Sequence, residues 1–144
     1  MAIPIQVTFD CSDPAALSGF WAELLGYQLD PPPPGYDSWE AWLREQGVPE
    51  SEWNSASAVS DPEARGPRIF FQRVPEEKER KNRVHLDVNV GGPRGTSADE
   101  RRVAVDAAVD RAIGLGATKV RLVEERGGRH YVMQDPEGNE FCLQ

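Results

Sequence analysis

The feature that most constrains this chain is that one succession of elements occurs twice. Ile5, Val7 and Phe9 alternate with Gln6, Thr8 and Asp10. Such period-two alternation predicts a strand over Ile3–Asp10 with one apolar and one polar face. Asp13 then offers an N-cap and Pro14 a first helical residue. Leu17, Phe20, Trp21, Leu24 and Leu25 follow at the spacing of a helix laid on a sheet, and Gly26 supplies the stop. The same order returns further on. Val84, Leu86, Val88 and Val90 alternate with Arg83, His85, Asp87 and Asn89. Ser97 and Glu100 make a capping box. Val105, Ala108, Val109, Ala112 and Ile113 repeat the helical spacing, and Gly114 and Gly116 end it. Strands are predicted at Thr118–Glu124, His130–Gln134 and Glu140–Leu143, the last two joined by a turn over Asp135–Asn139.

This is a repeat of architecture rather than of letters. A single such unit leaves one sheet face bare. Two units side by side can curve their mixed sheets around a shared cavity and keep their helices on the outside. The expected fold is therefore α+β, one domain over residues 1–144 with modules of about 1–75 and 82–144. Pro75–Asn82, charged and without apolar residues, reads as the connector.

The stretch between the first helix and that connector is less regular. Four prolines and a glycine over Pro31–Gly35 exclude regular structure. Asp37 with Glu40 is expected to open a short helix carrying Trp39, Trp42 and Leu43, closing near Gly47. Pro49–Trp53 reads as a turn and Asn54–Pro67 as a loop holding a short strand at Ala56–Val59. Arg68–Val74 has the composition of a strand.

At 144 residues, 39% of them apolar, the chain can bury a core without staples. No apolar run approaches the ~20 residues that cross a bilayer. The net charge of −8 comes with no basic stripe, which excludes nucleic acid and anionic membrane surfaces as expected partners. Cys11 and Cys142 form no CxxC pair and do not stand at zinc-finger spacing from His85 or His130. Buried thiols in a reducing compartment are expected. The N-terminus has neither a basic start nor an apolar signal core, so a cytoplasmic location is expected.

Particular residues also carry a resemblance. Phe9-Asp10-Cys11-Ser12-Asp13-Pro14, with Phe20-Trp21 and Leu25-Gly26-Tyr27, resembles the opening of vicinal-oxygen-chelate proteins, the superfamily of glyoxalases, bleomycin-resistance proteins and extradiol dioxygenases. Asp135-Pro136-Glu137-Gly138-Asn139-Glu140-Phe141 resembles their closing hairpin. Lys81-Asn82-Arg83-Val84-His85-Leu86-Asp87-Val88 is similar to a glyoxalase-like subgroup common in actinobacteria. The resemblance implies two βαβββ modules, frequent homodimers, and small-molecule ligands or substrates. In the enzymes it also implies a divalent metal held by up to four side chains, acting as a Lewis acid.

Carried over residue by residue, the first ligand position falls on Gln6, the second near Phe70–Gln72, the third on Arg83 and the last on Cys142. Gln is used by some glyoxalases. A guanidinium is a permanent cation with no lone pair to give, and a lone thiolate beside an amide makes a poor hard-cation site. The usual metal site is expected to be absent, and no cofactor is expected. The alternative is a divalent metal at an offset triad of His85, Asp87 and Glu140, which would then carry lyase, isomerase or dioxygenase chemistry.

The expected ligand-binding set is Gln6, Thr8, Asp10, Trp39, Trp42, Arg83, His85 and Cys142. Arg83 would stand where the metal's charge usually stands and hold an anionic or carbonyl group, with His85 as proton donor or acceptor. The competing structural account has Arg83 paired with Asp10 or Asp87. Trp39, Trp42 and Trp53 either cap a cavity and stack on a flat ligand or form a satellite cluster that pins the loop. No phosphate-binding glycine loop and no nucleophile elbow is present. The function expected is binding or sequestering of a small organic molecule.

Overall fold

A computed structural model describes residues 1–125 and 128–144, which fall into two compact units, 1–77 and 78–144. In the N-terminal unit the order is β1 (Gln6–Cys11), α1 (Pro14–Leu25), β2 (Gln28–Leu29), α2 (Trp39–Glu45), a 3-10 turn (Glu50–Glu52), β3 (Ala56–Ser60) and β4 (Arg68–Arg73). The C-terminal unit runs β5 (Leu86–Val88), α3 (Ala98–Gly114), β6 (Thr118–Glu125), β7 (Gly128–Gln134) and β8 (Glu140–Leu143). Each is a βαβββ module, and each makes a four-stranded mixed sheet of the same order, β1-β4-β3-β2 and β5-β8-β7-β6. In both, the first strand lies parallel to the last and the remaining pairs are antiparallel. The fold is α+β with duplicated modules, as expected.

The caps act as their sequences require. Asp13 accepts from the Ala16 N–H at 3.1 Å, and Gly26 closes α1 in the left-handed region at φ 71°, a conformation that costs glycine nothing. Ser97 and Glu100 form the full capping box on α3. The expected opening of α2 at Asp37 shifts by one residue. Ser38 is the extended residue, and its hydroxyl accepts from Ala41 N–H at 3.1 Å.

Strand limits differ where a partner is lacking. β1 begins at Gln6, opposite the first residue of β4, and Ile3 and Ile5 are exposed. The alternation around Leu86 is longer than the ladder it forms, because β8 offers only Phe141, Cys142 and Leu143 as partners. β2, with two exposed residues, has no alternation to read and exists through its pairing with Val59 and Ser60.

α1 and α3 each cover one face of their own sheet. In the N-terminal unit Leu17, Phe20, Trp21 and Leu24 bury against Val59, Ile69 and Phe71. Phe9 joins them, its ring 5.3 Å from Trp21 and 5.4 Å from Phe71. In the C-terminal unit Val105, Val109 and Ala112 bury with Met133, Phe141 and Leu143. Each such large side chain contributes about 1.5–3 kcal/mol by leaving water. Strand alternation then turns Gln6, Thr8, Asp10, Arg68, Phe70 and Gln72 to the face of the first sheet away from α1, and His85, Asp87 and Cys142 to the corresponding face of the second.

Candidate functional site

Two arrangements stand out, one in each unit. In the N-terminal unit a cavity of about 480 Å³ lies between the α2 insertion and the helix-free face of β3 and β4. Trp39, Trp42, Leu43 and Trp53 line it from the insertion, Ala56, Ala58, Arg68 and Phe70 from the sheet. Trp39 and Trp42 meet edge to face, with ring centres 5.7 Å apart and planes at 87°. Backbone carbonyls take both rim indole N–H groups: Trp39 Nε1 donates to Asp30 at 2.9 Å and Trp53 Nε1 to Val48 at 2.9 Å. The rings are thus oriented by hydrogen bonds at their edges while their faces remain for packing. The tryptophans both pin the insertion and line a cavity, so the two sequence readings are not exclusive.

A polar network centred on Arg68 is built into this wall. Arg68 donates from Nε to Asp30 Oδ2 at 2.7 Å and from Nη1 to Gln6 Oε1 at 2.6 Å, and its guanidinium sits 5.4 Å from the Phe70 ring centre. Asp30 is itself held by the Ser60 hydroxyl at 2.7 Å. Gln6 therefore braces the arginine. Thr8 and Asp10 lie on the same sheet face but on β1, one strand beyond the cavity wall, where Asp10 accepts from Gln72 Nε2 at 2.7 Å. Arg68 and Asp30 were not singled out from the sequence, and Phe70 only as lying near the second ligand position that the resemblance implies. The strand at Arg68 was visible from its composition, but nothing local told which of its faces meets the tryptophans.

In the C-terminal unit, among the described residues, His85, Asp87 and Cys142 bring one potential ligand atom each within 4.8 Å of one another. His85 Nδ1 and Asp87 Oδ1 are 2.8 Å apart. Burial pushes the Cys142 thiol up from its ordinary value, and the Asp87 carboxylate that accepts its hydrogen bond adds to this. Glu140, two residues before Cys142 on β8, accepts from Asn82 N–H at 2.8 Å and pairs with Lys78 at 3.3 Å. Burial alone would raise the Glu140 carboxyl, but those partners hold it below the ordinary range. Arg83 is exposed; of the carboxylates weighed as its partners, Asp10 accepts from Gln72 and Asp87 lies against His85.

The fold is a duplicated βαβββ architecture with an aromatic-lined cavity in its N-terminal unit. The chain belongs to the glyoxalase-like domain family, whose model matches residues 6–144. No curated protein matches it in sequence. Among solved structures it is similar to a glyoxalase/bleomycin resistance protein/dioxygenase family enzyme from Burkholderia phytofirmans, with 19% identity and TM-score 0.64 over 96% of this chain and 94% of that one. It is similar to the fosfomycin resistance protein FosX of Mesorhizobium loti, with 13% identity and TM-score 0.62 over 100% and 91%. It is also similar to the bleomycin-binding protein of Streptomyces verticillus, with 14% identity and TM-score 0.53 over 100% and 96%. At such identities the likeness is one of fold.

Three of the four positions to which the resemblance assigns metal ligands do not suit one here. Gln6 Oε1 is engaged by Arg68. Phe70 offers hydrocarbon, and Arg83 a cation without a lone pair.

Proposed function

We propose that this protein binds a small, flat organic molecule in the tryptophan-lined cavity of its N-terminal unit, without the usual metal site of the superfamily. The observation that carries this reading is the set of three indoles and Phe70 around a 480 Å³ space with one oriented guanidinium in its wall. Ligand cavities of about 300–1,000 Å³ with apolar walls and few polar groups are typical of small-molecule sites. The S. verticillus relative is a bleomycin-binding protein, which favours a sequestering role. Free thiols at both cysteines suit a reducing compartment, and we place the protein in the cytoplasm as a homodimer, a state that light scattering would check.

Naphthalene probes test the cavity. Neutral 2-naphthol and anionic 2-naphthoate should quench tryptophan fluorescence saturably and raise Tm, since both effects follow from binding the native state. Trp39→Ala and Trp42→Ala should each weaken binding about tenfold or more. Folded protein that shows neither quenching nor a Tm shift with either probe at millimolar concentration would sink the reading.

The convergence of His85, Asp87 and Cys142 favours a second reading, an enzyme of the same superfamily with an unconventional site, either lyase, isomerase or dioxygenase. Turnover of a superfamily-type substrate that is abolished by His85→Ala but kept in Trp39→Ala would favour it over simple binding.

A further inference from the structure

We infer that the cavity selects a neutral molecule with a carbonyl-type oxygen on its flat ring, that Arg68 donates to that oxygen, and that Asp30 keeps anions out. This rests on the cavity reading and names the class of molecule that satisfies it. Asp30 and Gln6 take two of the five N–H groups of the Arg68 guanidinium. Among the described residues Nη2 has no partner. The indole N–H of Trp42 stands the same way, whereas those of Trp39 and Trp53 are spent on backbone carbonyls. Other polar side chains of the lining are committed away from the space. Ser57 Oγ lies 2.7 Å from Ser18 Oγ, and Asn54 accepts from Ala15 N–H at 2.9 Å and donates to Asp13 at 2.8 Å. The wall therefore has N–H groups to spare, and a molecule that fills the cavity has to bring them an acceptor.

Charge decides what kind of acceptor. The Arg68 guanidinium and the Asp30 carboxylate, 2.7 Å apart, offset each other's field over the rest of the cavity. Asp30 is the more buried of the two, its side chain 21% exposed against 41%, and the Ser60 hydroxyl holds it in place. A carboxylate entering the cavity would meet a cation whose countercharge is already supplied. It would lose its water for little Coulombic return. Glu40, the remaining charged residue of the lining, is exposed on the first turn of α2 and adds a second negative charge. A cation fares no better. The ring of Phe70 already carries Arg68 and that of Trp53 already carries Arg44, with guanidinium carbons 5.4 and 5.2 Å from the ring centres. A neutral oxygen escapes both costs and still receives a charge-assisted hydrogen bond, stronger than one between two neutral groups.

Planar isosteres separate charge from shape: neutral 2-naphthamide, anionic 2-naphthoate and cationic 2-naphthamidine, titrated at neutral pH against tryptophan fluorescence of the full-length chain. Naphthamide should bind at least about tenfold tighter than either ion. Asp30→Asn keeps the shape of the side chain and removes its charge, so naphthoate should gain at least about tenfold there. Arg68→Met should weaken naphthamide about tenfold, since it removes the donor. Circular dichroism checks that both variants are folded, and the ranking in the unmodified protein needs neither of them. Naphthoate or naphthamidine binding as tightly as naphthamide would overturn the inference, and so would unchanged naphthoate affinity in folded Asp30→Asn. Those outcomes leave the cavity reading standing. No quenching by any of the three, in protein that also ignores 2-naphthol, removes both.

Discussion

The two units carry the same sheet and put different chemistry on it. The ladder bond from Val74 N–H to the Cys11 carbonyl matches that from Gln144 N–H to the Val88 carbonyl. This fixes the equivalence: Asp10 corresponds to Asp87, Gln72 to Cys142 and Thr8 to His85. In each unit the aspartate on the first strand is bonded to the residue across from it on the last. In the N-terminal unit that partner is an amide, and the third position is a threonine. In the C-terminal unit they are a thiol and an imidazole. Backbone register has kept three side chains adjacent in both halves, while their identities decide the polar contacts that result.

The largest contrast is expected between the cores. Trp21 is fully buried between α1 and its sheet and touches the rings of Phe9 and Phe20. Trp21→Ala should cost about 3–5 kcal/mol in chemical denaturation. Met133→Ala in the other unit, also fully buried, should cost less, about 2–5 kcal/mol, since an unbranched side chain leaves a smaller hole.

The smallest contrast is between the turns that join the last two strands of each unit. Asp135, 2% exposed, accepts from the N–H groups of Glu137 and Asn139 and from the Asn139 side chain. Asp135→Ala leaves those buried donors without an acceptor and should cost about 1–3 kcal/mol. Asp61 does the same work in the N-terminal turn in a wetter setting. Its carboxyl is held below the ordinary value of 3.8 by the Glu63 N–H first, and then by those of Arg65 and Gly66. A carboxyl depressed in the folded state stabilises above its unfolded pKa, and that contribution is lost as pH falls through the lower folded value. Asp61→Asn should therefore flatten the acid side of the Tm–pH curve below about pH 4. A parallel curve would mean that the turn does not depend on the charge.

Much of the architecture was legible because its determinants are local. The alternation around Phe9 and Leu86, the spacing of Leu17–Leu25 and Val105–Ala112, and the caps at Asp13 and Ser97 each involve residues within a few positions of one another. β2 was not legible, since Gln28 and Leu29 become a strand only by pairing with Val59 and Ser60. The site was legible in part. Trp39 and Trp42 were marked by their crowding, and His85 and Asp87 by sharing a strand face. Arg68 was missed, and Glu140 rather than Cys142 was grouped with His85 and Asp87. That grouping depends on the parallel register, which sets Cys142 against Asp87 and leaves Glu140 to Lys78 and Asn82.

By itself the sequence determined the duplicated order of strands and helices and the faces each would bury, because hydrophobic periodicity and capping act over a few residues and are written in consecutive positions. Tertiary structure alone decided which polar side chains meet, since Gln6 reaches Arg68 across 62 positions and Asp87 reaches Cys142 across a comparable span. Strand register sets those meetings, and register is fixed by how whole sheets bury their apolar faces, which no local stretch of chain encodes.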